Sequence, residues 1–275
     1  SGAQPGGGRR NAPARGPVGP RRSSGPVEPD TTFIYGRNPV LEALKGHRRV
    51  RSIVLAEGPV GERLERLVQQ QSPAFQRIPV RRASPDELAR LLDTADHQGI
   101  GAEVDPYPYA DLDTILQTQT LFVALDGIQD PHNLGAIVRT AEGAGAAVII
   151  PRHRAADITA AVVKSSAGAT EHVAVARVRN LADALSQVKA AGVWVYGTAA
   201  DADSPYTVQD YSYPTCFVLG SEGEGLGTRV ASMCDVMVSL PLAGRMESLN
   251  VSVSAGILLY EAVRQRNSEK GGRGS

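Results

Sequence analysis

Two blocks of alternating periodicity run along the chain. In the first, "VRSIVLAEG" (50–58) predicts a strand and "GERLERLVQQQ" (61–71) a helix. "IPVRRAS" (78–84) is a strand, "SPDELARLLD" (84–93) a helix with Ser84 as cap and Glu87 three residues on, and "HQGIGAEVDPY" (97–107) a further strand. Ahead of them, Asn38 is placed to cap a short helix with Pro39 at its first position and Gly46 at its close. The alternation predicts a small α/β domain over residues 31–106, and "YPYADLDTILQTQ" (107–119) reads as a linker.

The second block, residues 120–266, repeats the alternation with longer apolar runs. "LFVALDGI", "AAVIIP", "HVAVARV", "VWVYGTAA", "TCFVLGSEGEGL" and "DVMVSLPLAG" predict strands. "NLGAIVRTAEGAG", "DITAAVVKSSAGA", "NLADALSQVKAAG" and the stretch from Leu249 to Arg266 predict helices. These strands are apolar throughout instead of alternating, the pattern of a parallel sheet covered on both faces. Such sheets bind ligands beyond the carboxyl ends of their strands.

Composition narrows this picture. With 275 residues, 42% hydrophobic and 21% charged, the chain fits one large or two modest globular domains. Lys and Arg number 29 against 29 Asp and Glu, so no global basic field announces nucleic acid. Residues 1–30 are the exception: Arg9, Arg10, Arg15, Arg21 and Arg22 face only Glu28 and Asp30, among Gly, Pro and Ser. This composition predicts a disordered basic tail, either merely solvated or attracting phosphate; residues 267–275 are expected to be a second disordered tail. Cys216 and Cys234 have no metal-ligand spacing, so no metal is expected. So few cysteines, with no apolar run long enough for a membrane span, favour a reduced cytoplasmic protein.

Three stretches at the ends of predicted strands carry unusual residues. In "DGIQDPHNLGAIVRTAE", Asn133 sits at a helix start and Arg139 six residues later in a mostly apolar helix. Burying that Arg requires a partner, so it is either surface-exposed, ion-paired or aimed at a ligand. In "LGSEGEGLG", spaced glycines surround Glu222. They form either a tight turn with a capping Glu or a backbone that approaches a ligand, and the acidic residues disfavour a phosphate there. In "SLPLAGRMESLNVSVS", Ser248, Asn250, Ser252 and Ser254 are interleaved with apolar residues at the start of the last helix. Ser248 or Asn250 can cap that helix, but capping explains one polar residue, not four. The others are either small packing residues or the wall of a polar pocket.

Together, "DPHNLGAIVRTAEGAGAAVIIP", "FVLGSEGEGL" and "VSLPLAGRMESLNVSVSAGILLYEAVRQR" resemble, in order and spacing, the three motifs of the SpoU family of 2′-O-ribose RNA methyltransferases within the SPOUT superfamily. "YGRNPVLEAL…HQGIGAEV" is similar to that family's L30e-like substrate-binding domain, and the resemblance covers about residues 33–266. It implies an α/β protein with a small L30e-like domain, then a parallel-sheet SPOUT methyltransferase domain with a C-terminal trefoil knot, although true knots are almost absent from proteins at large.

For the site, the resemblance implies S-adenosylmethionine held near Thr198, Leu219, Gly220, Leu240, Leu249 and Asn250. It implies a catalytic surface of Asn133, Arg139, Glu222, Ser248 and Asn250, with Arg37, Asn38, His97, Gln98 and Arg139 facing RNA. An Arg suits a forked phosphate contact, and the strong basicity of a guanidinium makes a literal role as base demanding. The nearest subgroup is the bacterial 23S rRNA guanosine-2′-O methyltransferases, acting as homodimers. The rivals are a tRNA or resistance-type rRNA 2′-O-methyltransferase, and a non-catalytic RNA-binding assembly factor with the same fold.

Overall fold

The computed structural model describes Gly2 and residues 31–272; the basic tail expected at residues 1–30 otherwise lies outside the described residues. The elements alternate as the hydrophobic pattern requires. The first block comprises β1 (Thr32–Tyr35), α1 (Arg37–Lys45), β2 (Val50–Ala56), α2 (Pro59–Gln71), β3 (Val80–Ala83), α3 (Pro85–Leu92) and β4 (Ile100–Val104). Its four strands lie in the order β1-β4-β2-β3, with only β2 and β3 parallel. Ser84 caps α3 by accepting the Glu87 N–H at 3.3 Å, as its spacing predicts. Asn38 does not cap α1: the cap is Gly36, with φ of 97°, and Asn38 is already inside the helix, leaving its side chain at the surface.

The 107–119 segment is more than a linker. It contains α4 (Leu112–Thr118), capped by Asp111, whose Leu112 and Ile115 are buried against the larger sheet. Four polar residues among its seven, Asp113, Thr114, Gln117 and Thr118, hide that short apolar edge from a periodicity reading.

The second block follows as β5 (Leu121–Asp126), α5 (Pro131–Ala144), β6 (Ala147–Pro151), α6 (Ala160–Ser165), β7 (Val175–Val178), α7 (Leu181–Ala190), β8 (Trp194–Thr198), β9 (Ser204–Pro205), β10 (Thr215–Gly220), α8 (Thr228–Ala231), β11 (Val236–Ser239) and α9 (Val251–Gly272). Its seven strands are all parallel, in the order β7-β6-β5-β10-β8-β11-β9. The first five residues of both β5 and β10 are buried, which matches the unbroken apolar runs of a sheet covered on both sides. Residues 267–272, expected in a disordered tail, continue α9 as helix.

The chain leaves β11, two strands from β10, and returns across the carboxyl ends of the central strands to place α9 against α5, β5 and β10. That return is the path a C-terminal knot needs. It is fastened at its far end by Arg266. Its Nε donates to Tyr211 O at 2.9 Å, and its guanidinium nitrogens to Thr120 Oγ1, Thr120 O and Tyr213 O at 3.2, 3.1 and 2.8 Å. Helices α5 and α6 meet where Gly135 has no side chain: a Cβ there would stand 1.9 Å from Ser165 Oγ.

The two blocks share one apolar core, in which Ile34, Val40 and Leu41 join Val162, Val163 and Ala169. Within the contact lies a two-pronged ion pair between Arg48 and Glu171, whose side chains are 2% and 1% exposed. Tyr107 lies 5.8 Å from the Arg48 guanidinium, and its hydroxyl faces the carbonyls of Thr170 and Val173 at 3.1 and 3.2 Å. Burial pushes the Tyr107 hydroxyl far above the ordinary tyrosine pKa, so it remains a donor.

Candidate active site

The carboxyl ends of β8, β10 and β11 open onto a cavity of about 320 Å³. Thr198 closes β8 and donates its hydroxyl to Val218 O at 3.2 Å, tying two of these ends together. Leu219 and Gly220 close β10, Leu240 follows β11, and Leu249 and Val251 lead into α9; all line the cavity. Five of the six residues expected around the donor therefore stand in its wall. The sixth, Asn250, does not line it but stands beside it, between lining residues Leu249 and Val251.

The glycine-rich turn after β10 is held from below by Asp126 Oδ2, which accepts the Gly227 N–H at 2.8 Å. Gly220 has a structural reason of its own. A Cβ there would sit 2.1 Å from the carbonyl carbon of Gly225, so the turn folds back over the strand end only because the side chain is missing. The backbone of Gly220 faces the cavity while its side-chain direction faces the turn.

Asn250 organises the opening. Its Oδ1 accepts the Ser252 N–H at 2.9 Å and the Ser252 hydroxyl at 2.6 Å, which caps α9. Because a backbone N–H can only donate, that contact fixes the amide orientation. Nδ2 then points the other way and donates to Glu222 Oε1 and Asn133 Oδ1, both at 2.9 Å. Glu222 Oε1 also accepts the Val251 N–H at 3.4 Å. Asn133 reaches this contact from the third position of α5, whose cap is Asp130. The four polar residues at the start of α9 thus divide into two pairs. Asn250 and Ser252 build the cap and bridge, while Ser248 and Ser254 line the cavity.

Arg139 stands apart. It is exposed on α5, does not line the cavity, and has neither hydrogen bond nor ion pair among the described residues. On the smaller domain, Arg37, Asn38 and Gln98 line a second pocket between α1 and α2. His97 is not part of that wall; its Nδ1 accepts the Gly99 N–H at 3.0 Å. Sequence reasoning passed over Leu242 and Glu247 in the first cavity and Arg63 and Arg66 in the second. For the last two the shared helix face was legible, since Arg63, Arg66, Leu67 and Gln70 recur at helical spacing on α2, but not that this face is a pocket wall.

The first cavity is suited to a particular kind of ligand. Leu219, Leu240, Leu242 and Leu249 offer apolar surface to a flat ring, the strand ends offer backbone groups, and Glu222 and Glu247 supply negative charge with no basic residue in the wall. This is a fit for a cationic, partly aromatic molecule such as S-adenosylmethionine. Among the described residues no helix is long and apolar enough to cross a membrane, and no cluster of three or more His, Cys, Asp or Glu is placed to hold a metal.

The fold is a parallel α/β domain with a cavity at its strand ends joined to a smaller domain, and the family matches of both parts make the chain an S-adenosylmethionine-dependent RNA methyltransferase. Residues 120–260 match the SpoU rRNA methylase family, and residues 33–110 match a domain described as RNA 2′-O ribose methyltransferase substrate binding. The chain belongs to the SpoU family. It is 41% identical over 245 residues to YacO of Bacillus subtilis (strain 168), provisionally named a TrmH family tRNA/rRNA methyltransferase, covering 86% of this chain and 96% of that one. A tRNA/rRNA methyltransferase of Mycolicibacterium smegmatis, itself described as uncharacterized, is 42% identical over 247 residues, covering 87% and 78%.

Solved structures agree. The SpoU methyltransferase AviRb from Streptomyces viridochromogenes, in complex with AdoMet, superposes with a TM-score of 0.72 at 28% identity, covering 87% of this chain and 92% of that one. The AdoMet-bound rRNA methyltransferase of Sinorhizobium meliloti gives 0.71 at 28%, covering 86% and 87%.

Proposed function

We propose that this protein methylates the ribose 2′-hydroxyl of a guanosine in 23S rRNA, as a cytoplasmic homodimer. The observation that carries the reading is the Asn133–Asn250–Glu222 bridge at the edge of the donor cavity. Bound S-adenosylmethionine supplies a methyl group made electrophilic by the sulfonium. The chain's own residues supply placement. Asn250 holds the Glu222 carboxylate and the Asn133 amide beside each other, where a ribose hydroxyl finds an acceptor and a donor together. Ser248 and Ser254 offer hydroxyls without filling the cavity. Arg139, exposed and without an internal partner among the described residues, takes an RNA phosphate beside the reacting ribose.

The homodimer rests on α9. Val253 and Tyr260, seven residues apart on one stripe, are 50% and 51% exposed, and Tyr260 lies over Gly143 of α5. A terminal helix showing such a stripe beside the active site suits a second copy. Sedimentation of an active monomer at working concentration would rule this out.

The ribose position is supported by the description of the substrate-binding domain, and the 23S target by the motif resemblance. The tRNA alternative also has support, in relatives named for both tRNA and rRNA. Mapping 2′-O-methyl sites on 23S rRNA, 16S rRNA and tRNA from a deletion strain decides between them. Loss of one 23S guanosine site, restored by the wild-type gene, is expected; a lost tRNA site would move the substrate to tRNA.

A further inference from the structure

The wall of the donor cavity carries two carboxylates, Glu222 and Glu247, and only one of them is answered from within the chain. Glu222 Oε1 accepts the Asn250 amide N–H at 2.9 Å and the Val251 N–H at 3.4 Å. Val251 is the first residue of α9, so this carboxylate also meets the positive end of a 22-residue helix. Glu247 has no such partner. It makes neither hydrogen bond nor ion pair among the described residues. Arg245, two residues earlier in the same loop, neither pairs with it nor lines the cavity.

The loop that carries Glu247 is tied down at both ends. Before it, Val238 and Ser239 of β11 pair with Ser204 and Pro205 of β9; after it, Asn250 caps α9. Leu240, Leu242, Glu247, Ser248 and Leu249 all line the cavity along this stretch. The charge of Glu247 therefore stands in a wall of apolar and uncharged groups, with no basic residue to offset it.

The two molecules that such a cavity must tell apart differ in one charge. Methyl transfer breaks the bond from the sulfonium to its methyl, leaves the electron pair on sulfur and releases the proton of the hydroxyl. S-adenosylmethionine is a net cation at neutral pH, and S-adenosylhomocysteine is net neutral. Adenine, ribose, ammonium and carboxylate are common to both, so apolar surface and backbone hydrogen bonds treat them alike. Apart from the methyl itself, only a charge in the wall separates them. From its unpartnered place in a wall without basic residues we infer that Glu247 reads the sulfonium charge and sets the preference for donor over spent product. The inference rests on the reading that this cavity holds the donor. It also gives turnover a direction: transfer removes the attraction, so the product is held less tightly than the donor that replaces it.

Calorimetry on the full chain tests this with three ligands. They are S-adenosylmethionine, its neutral product S-adenosylhomocysteine, and sinefungin, which has an amine-bearing carbon in place of the methylated sulfur and is cationic there. Glu247→Gln should weaken S-adenosylmethionine and sinefungin about fivefold at low salt. It should leave S-adenosylhomocysteine unchanged, which also shows that the fold is intact. Fivefold corresponds to about 1 kcal/mol, one unit-charge attraction across about 4 Å of bulk water; Glu247 is exposed, so this lower figure applies. Glu247→Lys should lower the donor-to-product affinity ratio further. In wild type that ratio should shrink between roughly 0.01 and 1 M salt, as the screening length falls from about 30 to 3 Å, and in the Gln variant it should barely move. Equal losses for all three ligands, no loss for any, or a loss for S-adenosylmethionine that sinefungin does not share overturns the inference, as does a wild-type ratio insensitive to salt. Ser248→Trp, at an exposed position of the same wall, should weaken all three ligands by filling the cavity. If it weakens none, the donor binds elsewhere, and the role of Glu247 falls with the cavity.

Discussion

Replacing Asn250 with Asp separates two jobs that the wild-type side chain performs together. The Asp retains an oxygen for the Ser252 N–H, so the α9 cap survives, and a negative charge at a helix N-terminus adds roughly 0.3–1 kcal/mol of stabilisation. What it cannot do is donate. Glu222 Oε1 and Asn133 Oδ1, each now 2.9 Å from the amide nitrogen, would face an acceptor. Two carboxylates about 4 Å apart repel by about 1 kcal/mol in bulk water and about 4 kcal/mol near a protein surface, and Glu222 is exposed, so the lower end applies. Capping gain and repulsion nearly offset each other, and global stability should stay within about 1 kcal/mol of wild type. The Glu222 carboxylate, however, should swing out of position. Misplacing a group that orients the reacting hydroxyl costs about 10²-fold in rate. Asn250→Ala is the companion: it loses the bridge and the cap, and should cost about 0.5–2 kcal/mol in addition. Urea denaturation gives the stabilities. Transfer of labelled methyl from S-adenosylmethionine to rRNA and tRNA lacking the modification gives the single-turnover rates. An Asp variant with near-wild-type rate would refute the bridge as a catalytic feature and leave Asn250 as a helix cap.

Other perturbations test the surrounding architecture. Gly220→Ala should weaken donor binding in a folded protein by pushing the Gly225 backbone outward, read by calorimetry; unchanged affinity would show that the turn can move without deforming the cavity. Arg48→Met should destabilise by about 3–5 kcal/mol by stranding buried Glu171, whereas Arg48→Met/Glu171→Leu should recover most of that in urea melts. Arg266→Ala removes charged hydrogen bonds to three residues and should cost about 1.5–3 kcal/mol, with faster amide exchange in the last turns of α9. Burial works to raise the Glu42 carboxyl, but hydrogen bonds from Lys45 and His172 outweigh it and hold it below the ordinary 4.5. A depressed carboxyl contributes stability that is complete above the unfolded value and lost as pH falls through the folded one. Glu42→Gln should therefore flatten the acid limb of the stability profile below about pH 4.5, and an unaltered limb would show that the pair contributes nothing.

The sequence was most informative where one physical rule governs a whole element. The unbroken apolar runs of β5 and β10 declared a sheet covered on both faces, and the Ser84–Glu87 spacing declared a helix start. It was least informative where a long-range contact decides. Asn38 has the side chain of a cap and precedes a Pro, yet Gly36 takes the cap because the chain leaves β1 through a positive φ that suits glycine. The glycines of "LGSEGEGLG" read from sequence as either a tight turn or a backbone near a ligand, and only the fold shows that the atoms a Gly220 Cβ would strike belong to a turn five residues ahead. Arg63 and Arg66 lie on an ordinary amphipathic helix, and only the approach of α1 and the Gln98 turn makes that face a pocket.

The interdomain contact gives these separate features a common consequence. A hinge between domains would leave few buried polar groups at the contact, because every opening would have to rehydrate them. Here the contact holds a two-pronged ion pair almost without exposure, a buried tyrosine hydroxyl on two carbonyls, and an apolar core shared by both blocks. Opening it would expose the apolar core that both blocks share, so the closed arrangement dominates. The α1–α2 pocket and the Asn133–Asn250–Glu222 bridge are then held at one separation through α6, where Lys164 donates to Asp96 O at 3.2 Å and Ser165 to Pro131 O at 2.9 Å.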